Sequence, residues 1–181
     1  SYAKDIAWAS KHITALVGDL EDWDAIDRPE FKVAREPVEL GDIARRVSGL
    51  LALKAADHQI ALVHPDEATQ CEVVGEFRRV LQIMLNLVGN AIRYSPGGTE
   101  IRITIDPAAS SISVEDDGPG IPEEDRELVF TKFERLGRSG DGGSGLGLFI
   151  SRKLARAMGG DLIVQEGTAG GARFTLSLPT S

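Results

Sequence analysis

The chain has 181 residues, 42% apolar and 27% charged, which suits one globular domain with a short extra element and excludes a disordered segment. A formal charge of −8 and a pI of about 4.9 argue against nucleic acid as a partner, because phosphate backbones are held by basic surface. One cysteine, Cys71, excludes an internal disulfide and fits a reducing compartment, and no run approaches the ~18 apolar residues of a membrane span or reads as a signal peptide.

A first helix is predicted over residues 5–23. There Ile6, Ala9, Ile13, Leu16, Leu20 and Trp23 follow a three- and four-residue spacing, as in a helix-pair seam or a helix packed on its own domain. Pro29 disfavours helix at Arg28 and ends it. A short strand over 31–35 follows. A second helix is expected over 40–57, with Ile43, Ala44, Val47 and Leu51 among its apolar positions and Asp42 near its start. Segments 60–63 and 71–74 read as short strands separated by the turn His64-Pro65-Asp66. A third helix over 76–94 buries Val80, Met84, Leu87, Val88 and Ala91, and Ser95-Pro96-Gly97-Gly98 stops it.

Residues 99–105 alternate, with Ile101, Ile103 and Ile105 on one face; 111–115 form a shorter strand. From 121 to 145 the chain reads as irregular, with one weak helical turn over 123–133. A last helix over 146–158 is closed by Gly159-Gly160, and 161–166 and 171–178 read as a final pair of strands. Strands and helices mix without strict βαβ alternation. The expected class is α+β, with one layer of helices on a mixed sheet.

Twenty of the residues are glycine, 11% of the chain (20/181) against an average of ~7%, and fifteen of them fall between Gly97 and Gly171. Such a cluster suggests backbone that must approach a ligand closely. Three motifs surround it. In Asn86-Leu87-Val88-Gly89-Asn90-Ala91, the two asparagines lie one helical turn apart on one face, opposite the apolar one. Amide oxygens are hard, uncharged ligands that suit Mg²⁺ already neutralised by phosphates; two solvated asparagines are the plainer alternative. Arg93, a turn further on, is placed to meet phosphate or to be a surface charge. Asp116-Asp117-Gly118-Pro119-Gly120 follows a strand; a carboxylate there can accept from the exocyclic amine of an adenine, or the segment is an ordinary tight turn. Gly143-Ser144-Gly145-Leu146-Gly147-Leu148 opens a helix, where backbone N–H groups bind phosphate. It is neither a Rossmann fingerprint nor a Walker loop. The stretch between the last two motifs is long and hinge-rich and reads as a lid, with Phe130 and Phe133 either docking it or simply core, and Arg135 and Arg138 either in reach of a triphosphate or solvated charges.

The order Asn-x-x-x-Asn-Ala, Asp-x-Gly-x-Gly-Ile, Phe-x-x-Phe, Gly-x-Gly-Leu-Gly-Leu resembles the catalytic, ATP-binding domain of bacterial sensor histidine kinases, over residues 38–180. The resemblance implies a two-layer α/β sandwich, a mixed sheet of about five strands under three helices, with ATP held between helices and lid. It implies that Asn90 holds Mg²⁺ and Asn86 assists with phosphates. Arg93 stands near phosphate and Tyr94 beside the nucleotide. Asp116 reads adenine, with Gly118, Gly120 and Ile121 shaping that pocket. Phe130 and Phe133 form the phenylalanine box of the lid, and Gly143, Gly145, Leu146, Gly147 and Leu148 the phosphate-facing turn. Gly170-Gly171-Ala172-Arg173-Phe174 resembles the last glycine box, except that Ala172 stands where threonine is usual, so no nucleotide contact is assigned there.

These kinases phosphorylate a histidine followed by an acidic residue and then Arg and Pro. His12, His58 and His64 do not have those neighbours. The expected organisation is therefore residues 1–28 as the end of the second helix of a dimerisation and phosphotransfer hairpin, and 29–181 as the catalytic domain. The acceptor would lie upstream of Ser1. The implied cofactors are ATP and Mg²⁺. The implied partners are that hairpin, within a homodimer, and a response regulator, in the cytoplasm, with no membrane contact by this segment. A nucleotide-binding pseudokinase and an anti-sigma-type serine kinase are the alternatives.

Overall fold

In the computed structural model, which describes residues 2–136 and 144–181, the N-terminal seam becomes a 25-residue helix, α1 (Tyr2–Ile26), longer at both ends than predicted. No residue of α1 is buried, and Ile6, Ile13 and Leu20 stay exposed; only its last turn, through Trp23 and Ile26, packs on the core. The chain then runs extended but unpaired through the predicted strand at 31–35. The strand starts later, as β1 (Glu36–Glu39), antiparallel to β3 (Glu72–Gly75), with Glu36 opposite Gly75. Beyond Gly75 the partner strand ends and Glu76 introduces a helix. No backbone is left there to pair with 31–35, and the Ala34 N–H donates to the Glu76 carboxylate instead (3.0 Å).

Helix α2 (Leu40–Asp57) has the predicted bounds. The Glu39 carboxylate accepts the Gly41 N–H at its start (3.4 Å) and ties in the Cys71 N–H (2.7 Å). Helix α3 (Phe77–Tyr94) has its first N–H capped from β1, where Glu36 accepts from Phe77 (3.2 Å). The main sheet has the order β2-β4-β5-β7-β6, built from β2 (Ala61–Val63), β4 (Glu100–Asp106), β5 (Ser111–Glu115), β6 (Asp161–Glu166) and β7 (Ala172–Ser177). β2 and β4 are parallel and the other pairs antiparallel. The predicted turn at 123–133 is two short 3₁₀ turns, Glu123–Asp125 and Leu128–Phe130.

Helices α2, α3 and α4 (Gly147–Ala157) lie side by side on one face of the sheet. Ile43, Val47, Ile83, Leu87 and Leu154 from the helices meet Ile101, Ile103, Ile112 and Leu176 from the strands, all essentially inaccessible. Burying a side chain of this size stabilises the fold by about 1.5–3 kcal/mol. The other sheet face is polar, with Ser113 and Thr175 sharing a hydroxyl hydrogen bond across the strands (2.9 Å). The result is the expected two-layer sandwich, plus the β1–β3 ribbon and α1. Among the described residues no helix is long and apolar enough to cross a membrane.

Candidate functional site

Three chain segments converge on one cleft of about 300 Å³. The second half of α3 brings Asn86, Asn90, Arg93 and Tyr94; the turn after β5 brings Asp116, Gly120 and Ile121; the start of α4 brings Gly145, Gly147 and Leu148. These ten come from the fifteen residues the motifs single out. Of the others, Gly118 sits behind Asp116, and Leu146 and Phe130 are buried in the core. Phe133 packs outside the cleft. Gly143 lies outside the described residues, as do Gly137, Arg138, Gly140 and Gly142.

Asp116 closes one end of the cleft. It is buried because β7 runs beside it: its N–H donates to the Ala172 carbonyl (3.0 Å), and its Oδ1 accepts the N–H groups of Gly118 (2.9 Å) and Ala172 (3.1 Å). Oδ2 takes part in neither bond. Ala172 thus serves the site through its backbone. The strand end before Asp116 is clamped by Arg102, whose guanidinium bonds Asp117 (2.9 Å) and Glu100 (3.2 Å) and pairs with Glu115 (3.6 Å). The Arg102 hydrogen bond holds the Asp117 carboxyl below the usual aspartate range. Burial resists ionisation of Glu115, but the N–H and hydroxyl of Thr168, with Arg102 behind them, outweigh it and lower its pKa.

Asn86 is only partly exposed, because α4 lies against it. The Asn86 amide donates to Ser151 Oγ (3.1 Å), and Gly147 is in such close contact that a Cβ there would overlap the amide oxygen. Gly145 is as constrained: it has φ +73°, and a Cβ would come within 2.6 Å of the Phe133 backbone, whose N–H donates to the Gly145 carbonyl (2.8 Å). These two glycines therefore admit parts of the protein itself. Ser144 Oγ accepts the Leu146 N–H (3.1 Å) and so caps the entrance to α4.

The two phenylalanines part company. Phe130 stands edge-on to Phe174 (6.2 Å between centroids) under the Arg152 guanidinium, 4.5 Å from its centroid. Phe133 is half-exposed at φ +62° and meets Trp23 of α1 edge-on (5.7 Å). Between lid and cleft, Arg135 reaches the lining, and Glu134 accepts the N–H groups of Arg135 (3.0 Å) and Leu136 (2.7 Å).

Residues 75–181 match the family described as histidine kinase-, DNA gyrase B-, and HSP90-like ATPase. The chain belongs to this family. Sensor protein RstB of Escherichia coli (strain K12) is 35% identical over 178 residues, 92% of this chain and 39% of RstB. The signal transduction histidine-protein kinase/phosphatase MprB of Mycobacterium avium (strain 104) is 33% identical over 172 residues, 92% of this chain and 32% of MprB. The aerobic respiration control sensor protein ArcB of Escherichia coli (strain K12) is 28% identical over 184 residues, 98% of this chain and 24% of ArcB. The chain thus spans about a quarter to two fifths of the length of these relatives. Among solved structures, full-length ShkA in complex with AMPPNP superposes with a TM-score of 0.81 at 26% identity, covering 100% of this chain and 39% of ShkA. The mycobacterial sensor histidine kinase MprB gives 0.67 at 29% identity, covering 81% of this chain and 97% of that structure. What this chain shares with them is the ATPase-family domain.

Sequence reasoning missed four side chains in and around this site. Arg102 gave no motif, because its partners come together only when β4 and β5 pair. Lys54 of α2 is exposed beside Gly89 of α3; partial loss of hydration first, then Arg93 and Lys11, hold its ammonium pKa below the ordinary value. Glu134 lies on the cleft wall. The fourth, Asp19, comes from α1, which covers part of the cleft with Ala15, Leu16 and Asp19. A seam of apolar residues announces a helix pair and is silent about which polar residue meets which pocket.

Proposed function

We propose that the cleft binds MgATP and that the module transfers the γ-phosphoryl group to a histidine on a separate helical hairpin. The bond between the β,γ-bridging oxygen and the γ-phosphorus breaks, a bond from that phosphorus to an imidazole nitrogen forms, and ADP leaves. The observation that carries this reading is the convergence of ten motif residues on one cleft, with a fixed carboxylate at one end and amide and guanidinium groups along α3. Asp116, pinned through Oδ1, would accept the adenine amine at Oδ2, with Gly118 and Ile121 shaping the ring's slot. Arg93 and Arg135 would meet phosphate, and Tyr94 the nucleoside.

The donors suit a magnesium ion carried in by phosphates. Asn90 offers a neutral amide oxygen, and among the described residues no three His, Cys, Asp or Glu side chains gather into a cage. Asn90 would hold the ion, which when bound neutralises phosphate charge. Catalysis of this kind is mostly positioning and electrostatic stabilisation, which the cleft supplies without a nucleophile of its own. Residues 1–28 are read as the end of the hairpin's second helix and 29–181 as the catalytic domain. The parent protein is then a homodimeric sensor kinase acting in the cytoplasm on a response regulator.

The test is transfer in trans. The chain, given MgATP labelled at the γ-phosphate and a separately produced hairpin carrying an acceptor histidine, is expected to label that hairpin with an acid-labile phosphate. MgATP binding without label on a matching hairpin would sink the kinase reading.

A further inference from the structure

We propose that Lys54 of α2 is a further phosphate-binding residue of the cleft: its ammonium lies across Gly89 of α3, clustered with Arg93 and Lys11, and receives the nucleotide's phosphates together with Arg93. The inference rests on the cleft being a nucleotide site and adds a residue that no motif assigns to it.

Gly89 immediately precedes Asn90 in α3, and a Cβ there would stand 3.8 Å from Lys54 Nζ. Glycine inside a helix costs about 0.5–1 kcal/mol relative to alanine. Here it leaves a gap on the helix surface beside Asn90, and the Lys54 side chain from the neighbouring helix lies over that gap. A side chain longer than alanine would take the place of the ammonium. Arg93, one turn further along α3, lines the cleft.

The third cation comes from α1, which crosses α3 in the opposite direction. Asp22 accepts from Arg79 (3.1 Å) and Gln82 (2.7 Å) near the start of α3. Asp19 accepts the Ser144 hydroxyl (2.7 Å), Ala15 and Leu16 line the cleft, and Lys11 is close enough for its charge to act on Lys54. The chain has a formal charge of −8, yet among the described residues none of Lys11, Lys54 and Arg93 is in an ion pair. Partial loss of hydration, then the Arg93 and Lys11 charges, hold the Lys54 ammonium below its ordinary pKa. Like charges gathered without a counter-ion repel, and an anion among them relieves the repulsion. The ammonium offers three N–H donors to phosphate oxygens, as a point charge beside the Arg93 fork.

Calorimetry tests this. Lys54→Met is expected to bind a non-hydrolysable ATP analogue with Mg²⁺ about tenfold more weakly than the parent at low ionic strength. Adenosine, which carries no phosphate, should bind both proteins alike. Lys54→Arg keeps the charge and should bind the analogue within about twofold of the parent. Lys32→Met removes the same charge from an exposed position outside the cleft lining and should bind like the parent. A phosphate beside Lys54 favours its charged form. At about pH 9 the parent should therefore take up protons on binding the analogue, read in two buffers of different ionisation enthalpy, and Lys54→Arg should take up fewer.

Analogue binding in Lys54→Met equal to the parent overturns the assignment. So does an equal loss for the analogue and adenosine, or a loss in Lys54→Arg as large as in Lys54→Met, either of which would make the side chain a packing element. A loss in Lys32→Met matching that in Lys54→Met overturns it by reducing the effect to net charge. Proton uptake equal in the parent and Lys54→Arg overturns it as well. No binding of the analogue to the parent would instead reject the nucleotide reading itself.

Discussion

Under the proposed function, Asp116 would be both structural and selective. Its Oδ1 accepts two backbone N–H groups, which fixes the carboxylate plane between β5 and β7. An asparagine can keep its oxygen on those donors, but its amide nitrogen would then turn an N–H toward the adenine amine, donor against donor. Asp116→Asn is therefore expected to weaken MgATP binding by at least about tenfold with the melting temperature nearly unchanged, measured by calorimetry and thermal unfolding. The motif alone leaves this residue open between an adenine reader and an ordinary tight turn, and its burial beside β7 appears only in the fold. The glycines are legible in place but differ in purpose. Gly145 and Gly147 stand where the Phe133 backbone and the Asn86 amide press in, so part of the glycine excess serves the protein's own close packing around the cleft.

Between elements, Asn86 and Ser151 join the middle of α3 to α4. Deleting either should lower stability by about 1 kcal/mol, and the double variant Asn86→Ala, Ser151→Ala should cost less than the sum, because each single change removes the same bond. Equilibrium denaturation of the four proteins checks this; strict additivity would show the bond to be idle. Helices were read well where the apolar stripe was continuous, as in α2 and α3, and the strands 111–115 and 161–166 have the predicted bounds. The strand expected at 31–35 failed because strand character needs a partner, and the Glu76 side chain took the N–H that a partner would have used. The turn at 123–133 split into two 3₁₀ pieces because it is held by local i→i+3 bonds such as Phe130 N–H to Glu127 O (3.2 Å).

Across the whole molecule, several carboxylates are held in the ionised form by arginines: Asp117 by the Arg102 hydrogen bond and Glu127 by the Arg152 hydrogen bond. A folded-state pKa below the unfolded value means that the folded chain binds these protons less well. The associated stability is full above about pH 4–4.5, the ordinary range of these groups, and is lost as pH falls through the depressed folded values. Thermal unfolding between pH 7 and pH 3 should show this loss at its acid end, and Arg102→Met should shrink it; an acid limb of unchanged size would remove Asp117 from the account. Such long-range pairings, like the contact of α1 with the cleft, were not legible in the sequence. They join residues 15 and 125 positions apart, and no local period encodes them.

The β1–β3 ribbon has one more consequence. While β1 pairs with one edge of β3, the Val74 N–H on the other edge donates to the Pro179 carbonyl (2.7 Å). The strand that begins the sandwich and the last residues that follow β7 therefore flank a single strand, about 10 Å apart by ordinary strand spacing. Topologically the sandwich is nearly a closed ring. A displacement of β3 would therefore be felt at once by β1 and by the residues around Pro179.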